Sequence, residues 1–150
     1  MLAAQTMLLA DWQIHAAVWS VTSFTELQRD GMAAERNVRL GNATEMAYVA
    51  HAFEETLGPV VAATDYVRAV PELIRAYVPR RYVTIGTDGF GRSDTRQALR
   101  EFFEVDRTSI VIAALRALVD DGTIDQTVLR LAREKCAGRP GSEKLAPWER

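Results

Sequence analysis

The sequence predicts an α/β domain built on a largely parallel sheet, and three observations lead there. Short apolar runs at residues 16–20, 60–63 and 82–85 have the length of strands and the composition of strands covered on both faces. Segments with apolar residues at three- and four-residue spacing lie between and after them, as helices would. The third run leads directly into the glycine-rich stretch Gly86-Thr87-Asp88-Gly89-Phe90-Gly91, a strand–loop–helix junction.

Taken in order, residues 2–12 have helical composition, with Leu2, Met7, Leu8 and Leu9 available for a buried face. The apolar run 16–20 is expected as the first strand. Ser23 and Glu26 then stand at capping-box spacing, so a helix starts there and extends towards Asn37, with Gly31 weakening its middle. Gly41-Asn42 breaks the chain. Residues 44–57 are expected as a helix with Met46, Val49, Ala50 and Phe53 on one side, ended by Gly58-Pro59. After the strand at 60–63, residues 67–77 are expected as a helix that carries Pro71 in its first turn and closes at Pro79. The strand at 82–85 and the glycine-rich loop are followed by helices at 93–103, 108–120 and 124–136. The domain is therefore read as residues 1–136, and the stretch 137–150, with Gly138, Pro140, Gly141 and Pro147, as a flexible C-terminal tail.

Composition narrows the function. Apolar residues make up 48% of the 150 positions, enough for one domain with a real core. The net charge of -2 lacks the basic excess of a nucleic-acid binder. The single cysteine, Cys136, can form neither an internal disulfide nor a zinc cluster, and fits a cytoplasmic protein. The apolar N-terminus stops at Asp11, too short for a bilayer, and has no basic flank of a signal peptide. No membrane partner is expected.

Chemistry points first to the glycine-rich loop. Gly86, Gly89 and Gly91 allow a tight backbone path, and Arg92 and Arg96 bring positive charge to a helix start. One reading is a small-anion site; the other is a crossover loop whose glycines serve geometry and whose Ser93 or Asp94 caps a helix. Asp88 and Asp94 oppose a phosphate, and the glycine spacing is neither the dinucleotide fingerprint nor a Walker loop. His15 and His51 have no partner at metal-ligand spacing, so each is a general base or a structural histidine. Glu54-Glu55 and Asp120-Asp121 are adjacent carboxylates that diverge on a helix, and read as solvated faces or ends. Arg80-Arg81 sits at a turn, and Trp12 and Trp19 are core or interface aromatics.

A resemblance joins these pieces. The segment Tyr77-Val-Pro-Arg-Arg-Tyr-Val-Thr-Ile-Gly-Thr-Asp-Gly-Phe-Gly-Arg-Ser-Asp-Thr-Arg96 is very similar to a signature near the end of homodimeric pyruvate dehydrogenases that depend on thiamine diphosphate. Leu99-Arg-Glu-Phe-Phe-Glu-Val-Asp106 and Val111-Ile-Ala-Ala-Leu115 match as well, as do Val18-Trp-Ser-Val-Thr-Ser-Phe-Thr-Glu-Leu27 and Pro59-Val-Val-Ala-Ala-Thr-Asp-Tyr66. The resemblance implies a three-layer α/β/α domain of the transketolase C-terminal type, supporting dimerisation and the channel of an enzyme that oxidatively decarboxylates pyruvate towards acetyl-CoA. It implies thiamine diphosphate and Mg2+ in the full enzyme, held by other domains and not by this chain, which alone is expected to be inactive. It implies as partners the remaining domains or subunit, a dihydrolipoyl acyltransferase and a second copy. Asp88, Gly89, Phe90, Gly91, Arg92, Ser93 and Asp94 are then expected to face a domain interface or channel. Two departures stand out. The likeness starts inside the family's first helix, so the strand expected before it is missing and should leave a gap beside its neighbours. Residues 36–46 also lack the family's proline- and histidine-containing loop. A free-standing interaction module and a small-anion-binding domain remain as alternatives to an enzyme part.

Overall fold

The computed structural model describes residues 1–42, 46–136 and 146–149. Its sheet is a parallel pair, β1 (Val60–Ala63) and β2 (Tyr82–Ile85), in the register Val60 to Tyr82 through Ala63 to Ile85. Alternation along these strands sends side chains to two opposite cores. On one face α1 (Leu2–Trp12), α6 (Arg107–Asp120) and α7 (Gln126–Cys136) enclose Leu8, Val111, Leu115, Leu129 and Ala132, against which Ala63 and Ile85 pack. On the other, α2 (Phe24–Arg39), α3 (Tyr48–Ala52) and α4 (Ala69–Glu72) enclose Val49, Ile74, Val78 and Tyr82, against which Val60 and Ala62 pack. The layers are thus helix, sheet, helix, and the expected α/β class holds.

Local chemistry sets the element ends. The left-handed backbone of Gln13 (φ 55°) turns the chain off α1, so that the amides of Gln13 and Ile14 satisfy Leu9 and Leu8 carbonyls. Ser23 Oγ accepts from the Glu26 amide at 3.2 Å, as the capping-box spacing requires, while the Glu26 carboxylate pairs with Arg29 at 2.9 Å. Asp106 Oδ1 takes the Ser109 amide at 2.9 Å to start α6.

Three expectations change. Residues 16–20 are not a strand: Gln5 Nε2 donates to the Ala16 carbonyl at 2.6 Å, and no ladder joins the segment to β1, because a groove of about 1670 Å³ lies between the two. The helix expected at 44–57 shrinks to α3. Asp30, reaching from α2, accepts the Tyr48 amide at 2.6 Å and fixes its start; Arg80 takes the Phe53 carbonyl at 3.0 Å and the Glu54 carbonyl at 3.3 Å beyond its end. Residues 44 and 45 of that expectation lie outside the described residues. The helix expected at 67–77 splits into α4 and a 3-10 turn, Arg75–Tyr77. Here the carbonyl of buried Pro71 is drawn to the Tyr82 hydroxyl at 2.9 Å. Of the stretch 137–150, residues 146–149 are described, and there Pro147–Glu149 forms a 3-10 turn with Pro147 buried; residues 137–145 and 150 lie outside the described residues.

Two ties fasten the sheet to its helices. Glu72 bridges Arg75 and the Thr84 hydroxyl, so the Arg75 guanidinium first, and Thr84 against the opposing effect of burial, hold its carboxyl down from the usual 4.5 to about 2. Arg81, just before β2, pairs with Asp121 and lies 4.0 Å from Asp120, anchoring the end of α6 beside the start of β2, while Asp120 also pairs with Arg116 within α6 at 2.8 Å. These carboxylates are the exposed helix end that was expected, and they hold cations there.

Gly31 is buried in the middle of α2 because the Tyr77 ring lies against it; an added Cβ would stand 2.3 Å from ring atom Cδ2. Helix propensity alone would make Gly31→Ala stabilising by about 1 kcal/mol. The overlap reverses the sign: urea denaturation should show a loss of about 1–3 kcal/mol, and Tyr77→Ala in the same chain should relieve it. Glu72→Gln should lower stability at pH 7. A carboxyl with a depressed folded pKa stabilises the fold above its unfolded pKa and loses that contribution as it protonates. The gap between variant and parent should therefore close as pH falls from 4.5 to about 2, measured by denaturant midpoints across that range.

Candidate functional site

In open α/β sheets the carboxyl ends of parallel strands are where loops converge and ligands or partners meet the fold. Register places the loops after β1 and β2 side by side at that end. The Thr87 amide donates to the Tyr66 carbonyl at 2.9 Å, and the Thr87 hydroxyl to the Asp65 carbonyl at 2.9 Å. Asp88 takes the Arg68 amide at 2.9 Å and pairs with its guanidinium. Gly86 is required by this closeness: a Cβ would stand 2.6 Å from the Tyr66 carbonyl oxygen and 2.8 Å from the Arg68 nitrogen. Gly89 is required by its backbone, at φ 117°, and by the Pro147 carbonyl and Trp148 Cα, each 3.2 Å from an added Cβ. Gly91 faces open space.

The remaining loop residues separate. Phe90 is 85% exposed, although it is a large apolar side chain. Arg92 stacks its guanidinium 4.2 Å from the centre of the Phe102 ring. Asp94 accepts the Thr95 amide at 2.7 Å, and Ser93 is exposed. Neither caps α5 (Arg96–Phe102); Thr95 does, its hydroxyl accepting from the Ala98 amide at 3.3 Å. Beside the loop, Arg100 pairs with Asp65 at 2.9 Å, and that carboxylate raises the Arg100 pKa.

This geometry does not favour an anion cradle. Arg68 is matched by Asp88, Arg100 by Asp65, and Arg92 lies on an aromatic face. Acid–base groups are equally scattered. His51 Nδ1 lies 3.2 Å from Glu54 on an exposed surface, and His15 is exposed on the segment between α1 and α2. Among the described residues no group of three or more His, Cys, Asp or Glu side chains could hold a metal ion. What the loops do offer is apolar surface: Tyr66 is 73% exposed and Phe90 85%, and their two loops are hydrogen-bonded to each other.

Residues 1–106 match the transketolase-like TK C-terminal domain. The chain belongs to that family. Curated relatives extend the match beyond α5. The pyruvate dehydrogenase E1 component of Pseudomonas aeruginosa is 50% identical over 149 residues, 97% of this chain and 17% of the relative. That of Cupriavidus necator is 50% identical over 137 residues, 89% of this chain and 15% of the relative. That of Escherichia coli K12 is 44% identical over 129 residues, 84% of this chain and 14% of the relative. The chain therefore spans about a sixth of the length of the relatives it matches.

Within this transketolase-like domain, Asp65, Tyr66, Arg68, Arg100 and Trp148 belong to the loop cluster but escaped the reading of the sequence as site residues. Asp65 and Tyr66 lay within a matching block; Arg68 and Trp148 carried no signal at all. Gly89→Val should damage folding or assembly, since a β-branched residue tolerates positive φ poorly and its side chain would strike Pro147. A drop in soluble yield and in Tm checks this; full solubility with an unchanged oligomer would sink it.

Proposed function

We propose that this chain is the carboxy-terminal domain of a pyruvate dehydrogenase E1 polypeptide, supporting dimerisation and the walls of the channel in the oxidative decarboxylation of pyruvate to acetyl-CoA. The observation that carries the reading is identity near 50% to E1 components over most of the chain. Two features of the fold support it. The loop from Asp88 to Asp94 presents Phe90 to solvent at the carboxyl ends of the strands, where a neighbouring domain would bury it. The edge of β1 away from β2 has no ladder partner among the described residues and lines the groove, as a sheet does that a further strand completes.

On this reading thiamine diphosphate, with Mg2+, supplies the carbanion chemistry of decarboxylation from other domains. The described residues of this chain offer no carboxylate cluster for the metal, and no step is assigned to them. Their part is positioning: Arg68 and Asp88 hold the loop, and Phe90 and Tyr66 give it an apolar contact face. The partners are the remaining domains or subunit, a second copy, and the dihydrolipoyl acyltransferase that receives the acetyl group. The location is cytoplasmic, consistent with the absence, among the described residues, of a helix long and apolar enough to cross a membrane.

Pyruvate decarboxylation should be absent from the purified chain with thiamine diphosphate and Mg2+, and should appear when a cofactor-domain fragment from the same source is added. Phe90→Ala should lower that reconstituted rate while leaving the stability of the isolated chain within about 0.5 kcal/mol, as for an exposed side chain. Activity from the chain alone, or a reconstituted rate indifferent to Phe90, would contradict the proposal.

A further inference from the structure

The last described residues are too well seated for a loose end. In Ala146–Glu149 the Glu149 carboxylate accepts from the Ala146 amide at 3.0 Å, while the Glu149 amide donates to the Ala146 carbonyl at 2.9 Å. Proline at the first turn position fixes φ without sacrificing a hydrogen bond. The sequence Ala-Pro-Trp-Glu thus closes its own turn with local hydrogen bonds, which lowers the entropy lost on docking.

What it touches is the glycine-rich loop. Pro147 is buried. The Pro147 carbonyl and Trp148 Cα lie against the bare backbone of Gly89, so close that a Cβ there would be 3.2 Å from both. The Trp148 ring lies 5.3 Å from the Arg68 guanidinium, a cation–π contact. Arg68 is the residue whose amide and guanidinium both engage Asp88. Trp148, Arg68, Asp88 and Gly89 therefore form one continuous set of contacts from the chain's end to the residue before Phe90.

We propose that the cleft between Arg68 and Gly89 is a binding site for a proline–tryptophan turn, and that residues 146–149 occupy it as a strap fixing the Gly89–Phe90 backbone. The site recognises three things: the flat Trp148 face by the cation, the Pro147 ring by burial, and the turn backbone by a glycine with no side chain to obstruct it. Holding the Gly89 backbone fixes the direction in which Phe90 projects. Release of the strap frees Phe90 without unfolding the helices. The strap concerns this chain's own tail and loop and stands apart from the pyruvate dehydrogenase reading.

Backbone 15N relaxation on the full chain tests this. Removing residues 146–150 should lower the order parameters of Gly89, Phe90 and Gly91 from about 0.85 to below about 0.6, with Ile110 and Leu115 in α6 unchanged. Trp148→Ala should reproduce most of that loss, and Trp148→Phe, which keeps an aromatic face, should restore most of the order. Order parameters at 89–91 that ignore the truncation overturn the proposal. So does an equal loss of order in α6, which would make the tail a general stabiliser, or equal behaviour of the Ala and Phe variants.

Discussion

Four residue pairs in parallel register, Val60 with Tyr82 through Ala63 with Ile85, set the position of everything else. A parallel pair cannot be joined by a tight turn, so the chain must cross over between the strands, and here it does so through α4 and a 3-10 turn. Parallel register also brings both strands to the same end together. That is why Asp65, Tyr66 and Arg68 after β1 stand beside Thr87, Asp88 and Gly89 after β2. A two-stranded sheet is marginal by itself. This one is carried by two helical layers, with Leu115 and Leu129 sealed on one side and Val49 and Ile74 on the other.

Given that register, the glycines have separate tasks. Gly86 lets two backbones approach within hydrogen-bonding range at a point where any side chain would strike the Tyr66 carbonyl. Gly89 takes a left-handed turn and leaves its face open to the chain's own end. Between them Asp88 is consumed by Arg68. The Asp88 charge is therefore internal, Arg92 lies on the Phe102 ring, and the loop's tip is apolar through Phe90. A loop that has its Asp88 matched by a cation and exposes a ring suits contact with protein better than capture of an anion.

The fold class was legible because the two paired strands and the long helices obey local rules. Ser23 and Asp106 start helices where side-chain capping requires, and the apolar spacing of α6 delivers Ile110, Val111 and Leu115 to the core. The errors came where a distant residue decides a local outcome. Asp30, eighteen positions before Tyr48, sets the start of α3, and Arg80 stops the chain beyond it. Gly31 looks like a weak point in a helix until Tyr77 is laid across it. Residues 16–20 have strand composition but no strand beside them to pair with among the described residues, and composition cannot report a missing strand. In the site, the loop itself was legible from its glycines, whereas Arg68 and Trp148 were not, because cation–π and close-approach contacts between distant segments leave no spacing to read.

The groove beside β1 and the exposed ring of Phe90 express one condition in two ways. On the side of β1 away from β2, the described sheet has an edge with no ladder partner, and at the carboxyl ends it carries an aromatic with nothing over it. Open strand edges and exposed apolar rings both lower solubility unless a partner covers them. The groove asks for backbone hydrogen bonds and the ring asks for a packed surface, so different chemistry satisfies each. A domain that leaves both unmet while sealing two helical cores has placed its stability in the layers and not in the sheet edge. The relatives that share this domain are much longer, and the chain spans about a sixth of their length.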